Sequence, residues 1–412
     1  MIEQNNLAMM QVAEVNRIRN YINGSHDVLA RKDFEFNGNT FHTAKIILKS
    51  IKSVIDFHSS YICGNPVSIT GDKEVAKLVQ SVYRKGFFAK SDYSIAKNLY
   101  LYGNSYELLY MENGAIKSKI IPNTDAYPIY ENGRYTKFIE RYCYNPVTDF
   151  TLERVYTNDT VSEYENGIKV GSYRNTSGLP IHYVSGDIDR TNIFGCGLVA
   201  DLIPVMNEIE QLLSKMSDSV TSLSLNPMGV TSGQRLDESV DTAITGAVIN
   251  IEEGGTFDWA TANLDYQSIK LILDSLIQQY FIIAQVPSAL FGQGNIANVS
   301  ETSLLMLYNQ SDSLAKRVSF GLLEGFYKRL EYMSKMLGLD VTGVEITFNE
   351  NRPVDNKSKM EGLKVQYDMG AISQESIVMN SPYTQNVDRE MELLKGEINH
   401  NNDNVVADNN IM

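Results

Sequence analysis

One long helix between two helix-breaking signals is predicted by residues 195–227, GCGLVADLIPVMNEIEQLLSKMSDSVTSLSLNP. Apolar residues recur at helical spacing from Leu198 to Leu223, which predicts a helix over 198–225. Asn226-Pro227 ends it, because the residue before a proline avoids the helical region. The apolar stripe of such a helix must be buried against something, and we expect self-association to supply part of that surface.

Downstream of this helix, the pattern predicts a small αβ insert, two more helices and a helical C-terminal region. An uncharged loop, Ser288 to Val299, joins the two helices, and Asn298 is placed to cap the second one. The predicted elements are strands at 228–231, 247–251, 256–260 and 343–348, and helices at 235–244, 265–286, 300–337, 355–369, 373–380 and 386–396. Residues 397–412 are rich in Asn and Asp and are predicted to be disordered.

Upstream, helical spacing gives way to alternation with a period of two residues. Helices are predicted at 7–22, 43–62, 72–85 and 91–102, and strands at 105–110, 116–121, 126–130, 137–144, 150–156, 160–165 and 169–174. Asn-Gly pairs begin at Asn113, Asn132 and Asn166, between successive strands, and Asn-Gly suits the tight turns of β-hairpins. The sequence therefore predicts an antiparallel meander and an α+β fold.

The charge of the chain is uneven along its length. The 412 residues carry a net charge of −14, which argues against a protein that grips nucleic-acid phosphates. Residues 196–300 hold 3 basic and 12 acidic residues, a net charge of −9, whereas residues 1–195 are nearly neutral with 22 basic and 21 acidic residues. Such a local excess of carboxylates gives this part of the chain a negative electrostatic potential. That potential bears on its partners and not on its fold.

No arrangement of residues in the sequence points to catalysis. The stretch from Gly292 to Ala297 fits G-x-G-x-x-A, but a helix ending at Pro287 precedes it, where a dinucleotide site needs a strand. The five histidines have no metal-ligand spacing and the three cysteines are scattered, so we expect no cofactor, metal or catalytic residue. No membrane span or signal peptide is predicted.

Five stretches, in their order along the chain, resemble motifs of the portal proteins (head–tail connectors) of tailed bacteriophages. They are YINGSH at 21–26, YICGNPVSI at 61–69, NLYLYGNSYE at 98–107, GCGLVADLIPVMN at 195–207 and VPSALFG at 286–292. The resemblance covers about residues 10–395. It implies a ring of twelve copies around a channel for double-stranded DNA at the capsid vertex, which serves genome packaging and ejection.

The resemblance also implies a division of the chain into the parts of a portal subunit. These are a wing at 1–195, a first stem helix at 196–225, a clip at 226–264, a second stem helix at 265–287, a tunnel loop at 288–299, a long helix and strand completing the wing at 300–349, a short crown at 350–396 and a tail at 397–412. The implied partners are other copies of the chain, the terminase large subunit, the head–tail adaptor, and the major capsid and scaffolding proteins. The protein would assemble in the bacterial cytoplasm and remain in the virion, with no membrane partner.

Three groups of residues follow as expected functional surfaces. The tunnel loop would face DNA through Gly292, Gln293, Gly294, Asn295 and Asn298. The clip would contact the terminase and the adaptor through Arg235, Asp237, Glu238, Glu252 and Glu253. Acidic residues would line the channel and repel phosphates, at Glu208, Asp218, Asp265 and Asp274.

Two other functions stay open at this point. One is a different structural protein of a phage tail or neck. The other is a carboxylate-based hydrolase, because paired carboxylates can be identified only in a folded site. Ring symmetry would distinguish the portal from both.

Overall fold

Helices make up most of the fold, and one of them, with 37 residues, is much longer than the rest. The computed structural model describes residues 2–36, 39–145, 150–186, 193–221, 228–232, 253–260, 266–287, 301–338, 340–341, 343–349, 351, 356–384, 387 and 389–395. Its helices are α1 (Ile2–Asn23), α2 (Ser50–Cys63), α3 (Lys73–Gly86), α4 (Phe88–Tyr102), α5 (Leu198–Val220), α6 (Tyr266–Ala284), α7 (Glu301–Leu337), α8 (Asn356–Asp368) and α9 (Gln374–Asn380).

The strands form antiparallel sheets. Their bounds are β1 (Phe34–Phe36), β2 (Asn39–Phe41), β3 (Ser68–Thr70), β4 (Asn104–Glu112), β5 (Ala115–Ile121), β6 (Ala126–Glu131), β7 (Arg134–Asn145), β8 (Phe150–Tyr156), β9 (Thr160–Glu165), β10 (Ile168–Arg174), β11 (Ile181–Val184), β12 (Met228–Ser232), β13 (Thr256–Ala260) and β14 (Glu345–Thr347). Strands β6 to β10 form a five-stranded meander, and β11, β4 and β5 form a separate three-stranded sheet. Two-stranded sheets pair β1 with β2, β12 with β13, and β14 with β3.

The predicted α+β class is confirmed, and so are the three Asn-Gly turns. Asn113, Asn132 and Asn166 have φ angles of 49°, 52° and 47°, and each following glycine also has a positive φ. These angles are those of type I′ turns, whose twist matches that of the flanking strands. The sequence pattern did not predict that β11 pairs with β4. Strands β4 and β5 therefore lie in a sheet with β11 and not in the predicted continuous meander.

The helix predicted at 43–62 begins only at Ser50, so its first turns were wrong. Other predicted segments fall outside the described residues. They are the helix at 235–244, the strand at 247–251, the loop at 288–299, the end of the first long helix beyond 221 and the disordered tail at 397–412. Strands β12 and β13, by contrast, match the two predicted outer strands of the insert.

The chain divides into two units, Met1–Asn351 and Arg352–Met412. The second unit contains α8 and α9, and Ser373 caps α9 by accepting the Ser376 N–H at 3.2 Å. The first unit contains the main core, whose most unusual member is Arg329 of α7, with an exposed fraction of 0%. A guanidinium group inside a core requires partners that compensate for lost hydration.

Two carboxylates compensate for the buried charge of Arg329. Its Nη1 lies 2.6 Å from Asp92 of α4, and its Nε lies 2.9 Å from Glu107 of β4. The rings of Phe326 and Phe88 lie 4.5 Å and 4.9 Å from the guanidinium carbon. Burial lowers the pKa of Arg329, but Asp92 and Glu107, together with Tyr183 and Tyr83, outweigh burial and raise the pKa well above its ordinary value. The cluster therefore joins α7, α4 and β4 through one charged group.

Replacing Arg329 by methionine should strongly destabilise the fold, because it leaves Asp92 and Glu107 buried without a cation. We expect the free energy of unfolding to fall by about 3–5 kcal/mol, measured by urea unfolding followed by circular dichroism. The matched control is Lys335→Met, which breaks the exposed Lys335–Glu331 pair and should cost about 0.5 kcal/mol. Equal effects of the two substitutions would contradict the central role of Arg329.

Candidate channel and assembly surfaces

One face of α5 binds an extended segment of the N-terminal region through a ladder of hydrogen bonds. Asp218 accepts the Ala44 N–H at 2.7 Å, Ser214 accepts the Ile46 N–H at 3.0 Å, and Glu210 accepts the Leu48 N–H at 2.7 Å. Four helical residues rise about 6 Å and two extended residues span about 6.7 Å. The two repeats match, so every second amide of the segment meets every fourth side chain of α5.

Side chains of the N-terminal region close both ends of this ladder. The buried ring of His26 lies 2.9 Å from Glu210 through Nδ1 and packs on Tyr21, with 4.0 Å between the ring centroids. At the other end, Arg31 binds Asp218 at 2.6 Å. The conspicuous YINGSH motif therefore has a structural role, since it brings His26 onto α5.

A second motif forms a close crossing of two backbones. At Gly103 a Cβ atom would lie 2.1 Å from the carbonyl oxygen of Gly195, so neither chain leaves room for a side chain there. The amide of Asn104 holds the crossing, because it donates to the Gly195 carbonyl and accepts the Gly195 N–H, both at 3.1 Å. The Gly-rich start of the quoted stretch thus fixes where α5 begins relative to β4.

Two buried histidines are held neutral and serve packing. His182 bonds Asn104 at 3.0 Å and the Tyr130 hydroxyl at 2.7 Å, and burial lowers its pKa to about 3. Burial lowers the pKa of His58 to about 4, although its bond to the Ala284 carbonyl opposes the shift. Within the described ranges, no group of three or more His, Cys, Asp or Glu residues is arranged to hold a metal ion.

The predicted channel acids differ in their surroundings. Glu208 and Asp274 are exposed on α5 and α6. Asp218 is half-buried and paired with Arg31, so its charge is compensated within the subunit. Asp265 lies outside the described residues. The exposed face that carries Glu208 also carries Lys215, one helical repeat of seven residues further on.

Helix α6 exposes an unusually apolar surface. Only Tyr280 and Ala284 of its 19 residues are buried, and its only charged residues are Lys270 and Asp274. Leu271 is 71% exposed. Other exposed apolar side chains of α6 and α7 include Tyr266, Ile272, Ile282, Met306 and Phe320. A surface of this kind on two adjacent helices is typical of a protein interface.

A groove of about 690 Å³ separates α6 from the first turns of α7. Its apolar lining includes Ile277, Phe281 and Met306, and Asp274 and Gln310 add polar groups. Pro287 also lines it, immediately before the predicted tunnel loop. The loop residues themselves, Gly292, Gln293, Gly294, Asn295 and Asn298, lie outside the described part of the chain.

The predicted clip residues are described only in part. Strands β12 and β13 pair from Met228 opposite Ala260 to Ser232 opposite Thr256. Glu253 is exposed in the turn before β13. Arg235, Asp237, Glu238 and Glu252 fall in the undescribed stretch between the two strands.

Comparison with known proteins identifies the family. The family model described as "Phage portal protein, SPP1 Gp6-like" matches residues 8–404, nearly the whole chain. The chain belongs to this phage portal family. Portal proteins are structural components of the virion at the capsid vertex, which confirms the predicted non-enzymatic role and location. No curated protein matches the chain.

One solved structure supports the same fold. The chain resembles a chain from the neck of an empty GTA particle computed with C6 symmetry, with a TM-score of 0.52, 12% identity, and 80% of this chain and 89% of that chain covered. Two further similarities have TM-scores of 0.48 at 12% identity, each covering 80% of this chain and 88% of the other. They are to chains from the virion of a native gene transfer agent particle and from the neck of a native GTA particle computed with C12 symmetry.

The described part of this portal-family chain contains no helix both long and apolar enough to cross a bilayer. Its notable surfaces are the apolar face of α6 and the exposed charges of α5 and α6. Sequence reasoning predicted the exposed charges, but it did not identify the apolar face of α6 as a surface. The signal was available, because α6 combines high apolar content with only two charges.

The ladder on α5 can be tested by hydrogen exchange. Asp218→Ala removes the acceptor of the Ala44 N–H and the partner of Arg31, so the amides of residues 44–48 should exchange at least about tenfold faster. Mass spectrometry of peptides spanning 43–49 measures this rate. Glu208→Ala, an exposed substitution on the other face of the same helix, should leave the rate unchanged, and an unchanged rate in Asp218→Ala would contradict the ladder.

Proposed function

We propose that the chain forms a ring-shaped portal channel through which double-stranded DNA enters and leaves the capsid. The observation that carries the proposal is the exposed apolar face of α6 in a chain of the portal family. A monomer would leave Leu271, Ile272 and Ile282 in water, whereas neighbouring copies in a ring can cover them. We expect a ring of twelve copies, as the family resemblance implies.

In this proposal the parts of the chain keep the boundaries expected from the sequence. Residues 1–195 and 300–349 form the wing, 196–225 and 265–287 the stem, 226–264 the clip, 288–299 the tunnel loop, 350–396 a short crown and 397–412 the tail. The clip would dock the terminase large subunit and later the head–tail adaptor. The outer surface would meet the major capsid and scaffolding proteins.

Exposed carboxylates of the stem would keep DNA from adhering to the channel. Glu208 and Asp274 have no compensating cation in a described salt bridge, whereas Asp218 is paired with Arg31. Repulsion of phosphates is effective over roughly 8 Å in physiological salt. We therefore place the low-friction role on Glu208 and Asp274, together with Asp265, and not on Asp218.

Assembly into rings should depend on the apolar face of α6. Leu271→Arg places a charge where a neighbouring copy would cover the side chain, and we expect at least about tenfold fewer rings, because burying an unpaired charge costs several kcal/mol. Negative-stain electron microscopy and mass photometry of the purified chain measure ring number and yield.

The matched control for assembly is Ile168→Arg. Ile168 and Leu271 are both 71% exposed, but Ile168 begins β10 in the meander. It should leave ring yield unchanged. A wild-type chain that stays monomeric, or Leu271→Arg rings at full yield, would overturn the proposed interface.

Reversing the stem charges should slow packaging. Glu208→Lys and Asp274→Lys give phosphates a cation to bind, so DNase-protected DNA should accumulate several-fold more slowly, and the difference should shrink at higher salt. Glu165→Lys, an exposed acid of β9, is the control. Packaging at the normal rate in both stem variants would exclude a role for these carboxylates in DNA passage.

A further inference from the structure

The turn between α3 and α4 holds a large aromatic side chain in solvent. Phe87 alone separates Gly86, the last residue of α3, from Phe88, the first residue of α4. Its backbone is left-handed, with φ 58° and ψ 37°, and its side chain is 71% exposed. One residue therefore ends one helix, begins the next and projects its ring outward.

This conformation is unusual for phenylalanine. Glycine or asparagine normally occupies the left-handed position after a helix, since a side chain crowds the backbone there. Gly86 is adjacent, yet it stays in the helix while Phe87 takes the strained position. Strain of this kind persists only where the surroundings enforce it, and it is concentrated at functional positions.

The residues next to Phe87 anchor the turn. Phe88 is fully buried against the Arg329 guanidinium, so the residue after the turn is anchored in the core. The Lys117 ammonium lies 4.9 Å from the centre of the Phe87 ring and donates to the Lys85 carbonyl at 2.9 Å. The exposed ring is thus part of a rigid turn.

Three further cationic residues lie within three positions of Phe87 in the sequence, in addition to Lys117. Arg84, Lys85 and Lys90 are exposed and Lys117 is half-buried. No described salt bridge joins any of them to a carboxylate, although other lysines of the chain, such as Lys328, are paired. An uncompensated positive patch is notable in a chain whose net charge is −14.

We propose that the Phe87 apex, defined as Arg84, Lys85, Phe87, Lys90 and Lys117, docks an acidic segment of another protein of the particle. Charge complementarity selects the acidic partner and orients it. Aromatic and arginine side chains, such as the exposed Phe87 and Arg84 of this turn, are typical of the residues that contribute most to protein interfaces. Because the turn is already fixed, little conformational freedom is lost when the partner binds.

The pattern favours a protein partner over nucleic acid. Binding to a nucleic-acid strand uses cations spread along a phosphate backbone and several aromatic rings on which bases stack. Here one exposed ring is accompanied by cations of the same turn and of the adjacent strand β5. The residues of this docking surface are distinct from those of the proposed ring interface and channel.

Photo-crosslinking in particle-forming cells tests the proposal. The full chain carries p-benzoylphenylalanine in place of Phe87, and mass spectrometry maps the residues joined to it after irradiation. We expect a cross-link to a segment of net negative charge in a different protein. The triple variant Arg84→Glu, Lys85→Glu, Lys90→Glu should lower the yield at least tenfold.

Two controls use sites in the meander. The double variant Lys169→Glu, Arg174→Glu should leave the cross-link at position 87 unchanged, and the photoreactive residue at Ile168 should not give it. Cross-links at position 87 only to nucleic acid, to another copy of this chain or to a neutral or basic segment would overturn the proposal, and so would none. The amount of the chain in purified particles reports separately on the proposed portal function.

Thermal unfolding separates docking from folding. Phe87→Gly should leave the unfolding midpoint unchanged or raise it, because glycine adopts the left-handed position without strain. Phe88→Ala should lower it, since Phe88 is buried against Arg329. A clear loss of stability in Phe87→Gly would show that the ring serves the fold, and would overturn the docking role.

Discussion

The buried guanidinium of Arg329 is the interaction on which the arrangement of the first unit depends. It lies on α7 and binds a carboxylate on α4 and another on β4, residues separated from it by more than two hundred positions in the sequence. Removing one partner of such a cluster leaves an uncompensated charge in the core, so the three elements cannot separate one at a time. The Glu107 carboxylate also accepts the Tyr183 hydroxyl at 2.6 Å, which brings β11 into the same cluster.

A second polar system fixes the other long helix. Glu210, Ser214 and Asp218 of α5 hold the N-terminal segment by its backbone amides, while Arg329 holds α7. Both long helices are therefore secured by groups that need specific partners. In helix α6 the buried His58 ring bonds the carbonyl of Ala284, the last residue of the helix, at 2.7 Å, while much of its apolar surface faces solvent. The unit therefore leaves a large apolar surface available along α6.

Local patterns predicted most elements but not the contacts that arrange them. Asn-Gly pairs and alternating residues located the meander because both signals lie within a few positions of each other. The segment before Ser50 was predicted as helix, but its amides bind side chains of α5 almost 170 residues away. Strand β11 approaches α7 closely at Gly321, where a Cβ would be 1.7 Å from the Val184 carbonyl oxygen. These contacts join residues that are far apart in the sequence, so no short stretch of the sequence predicts them.

The acidic residues show the same limit in the functional surfaces. Glu208 and Asp218 are ten positions apart on one helix, and composition treats them alike. In the fold, Arg31 and the Ala44 amide bind Asp218, while Glu208 faces solvent. The charge that each carboxylate presents to solvent is therefore set by tertiary pairing and not by the count of carboxylates. At Phe87 the same reasoning applies to positive charges. Residues 1–195 are nearly neutral as a whole, but no described salt bridge pairs the cations of this turn, so the turn carries a positive charge.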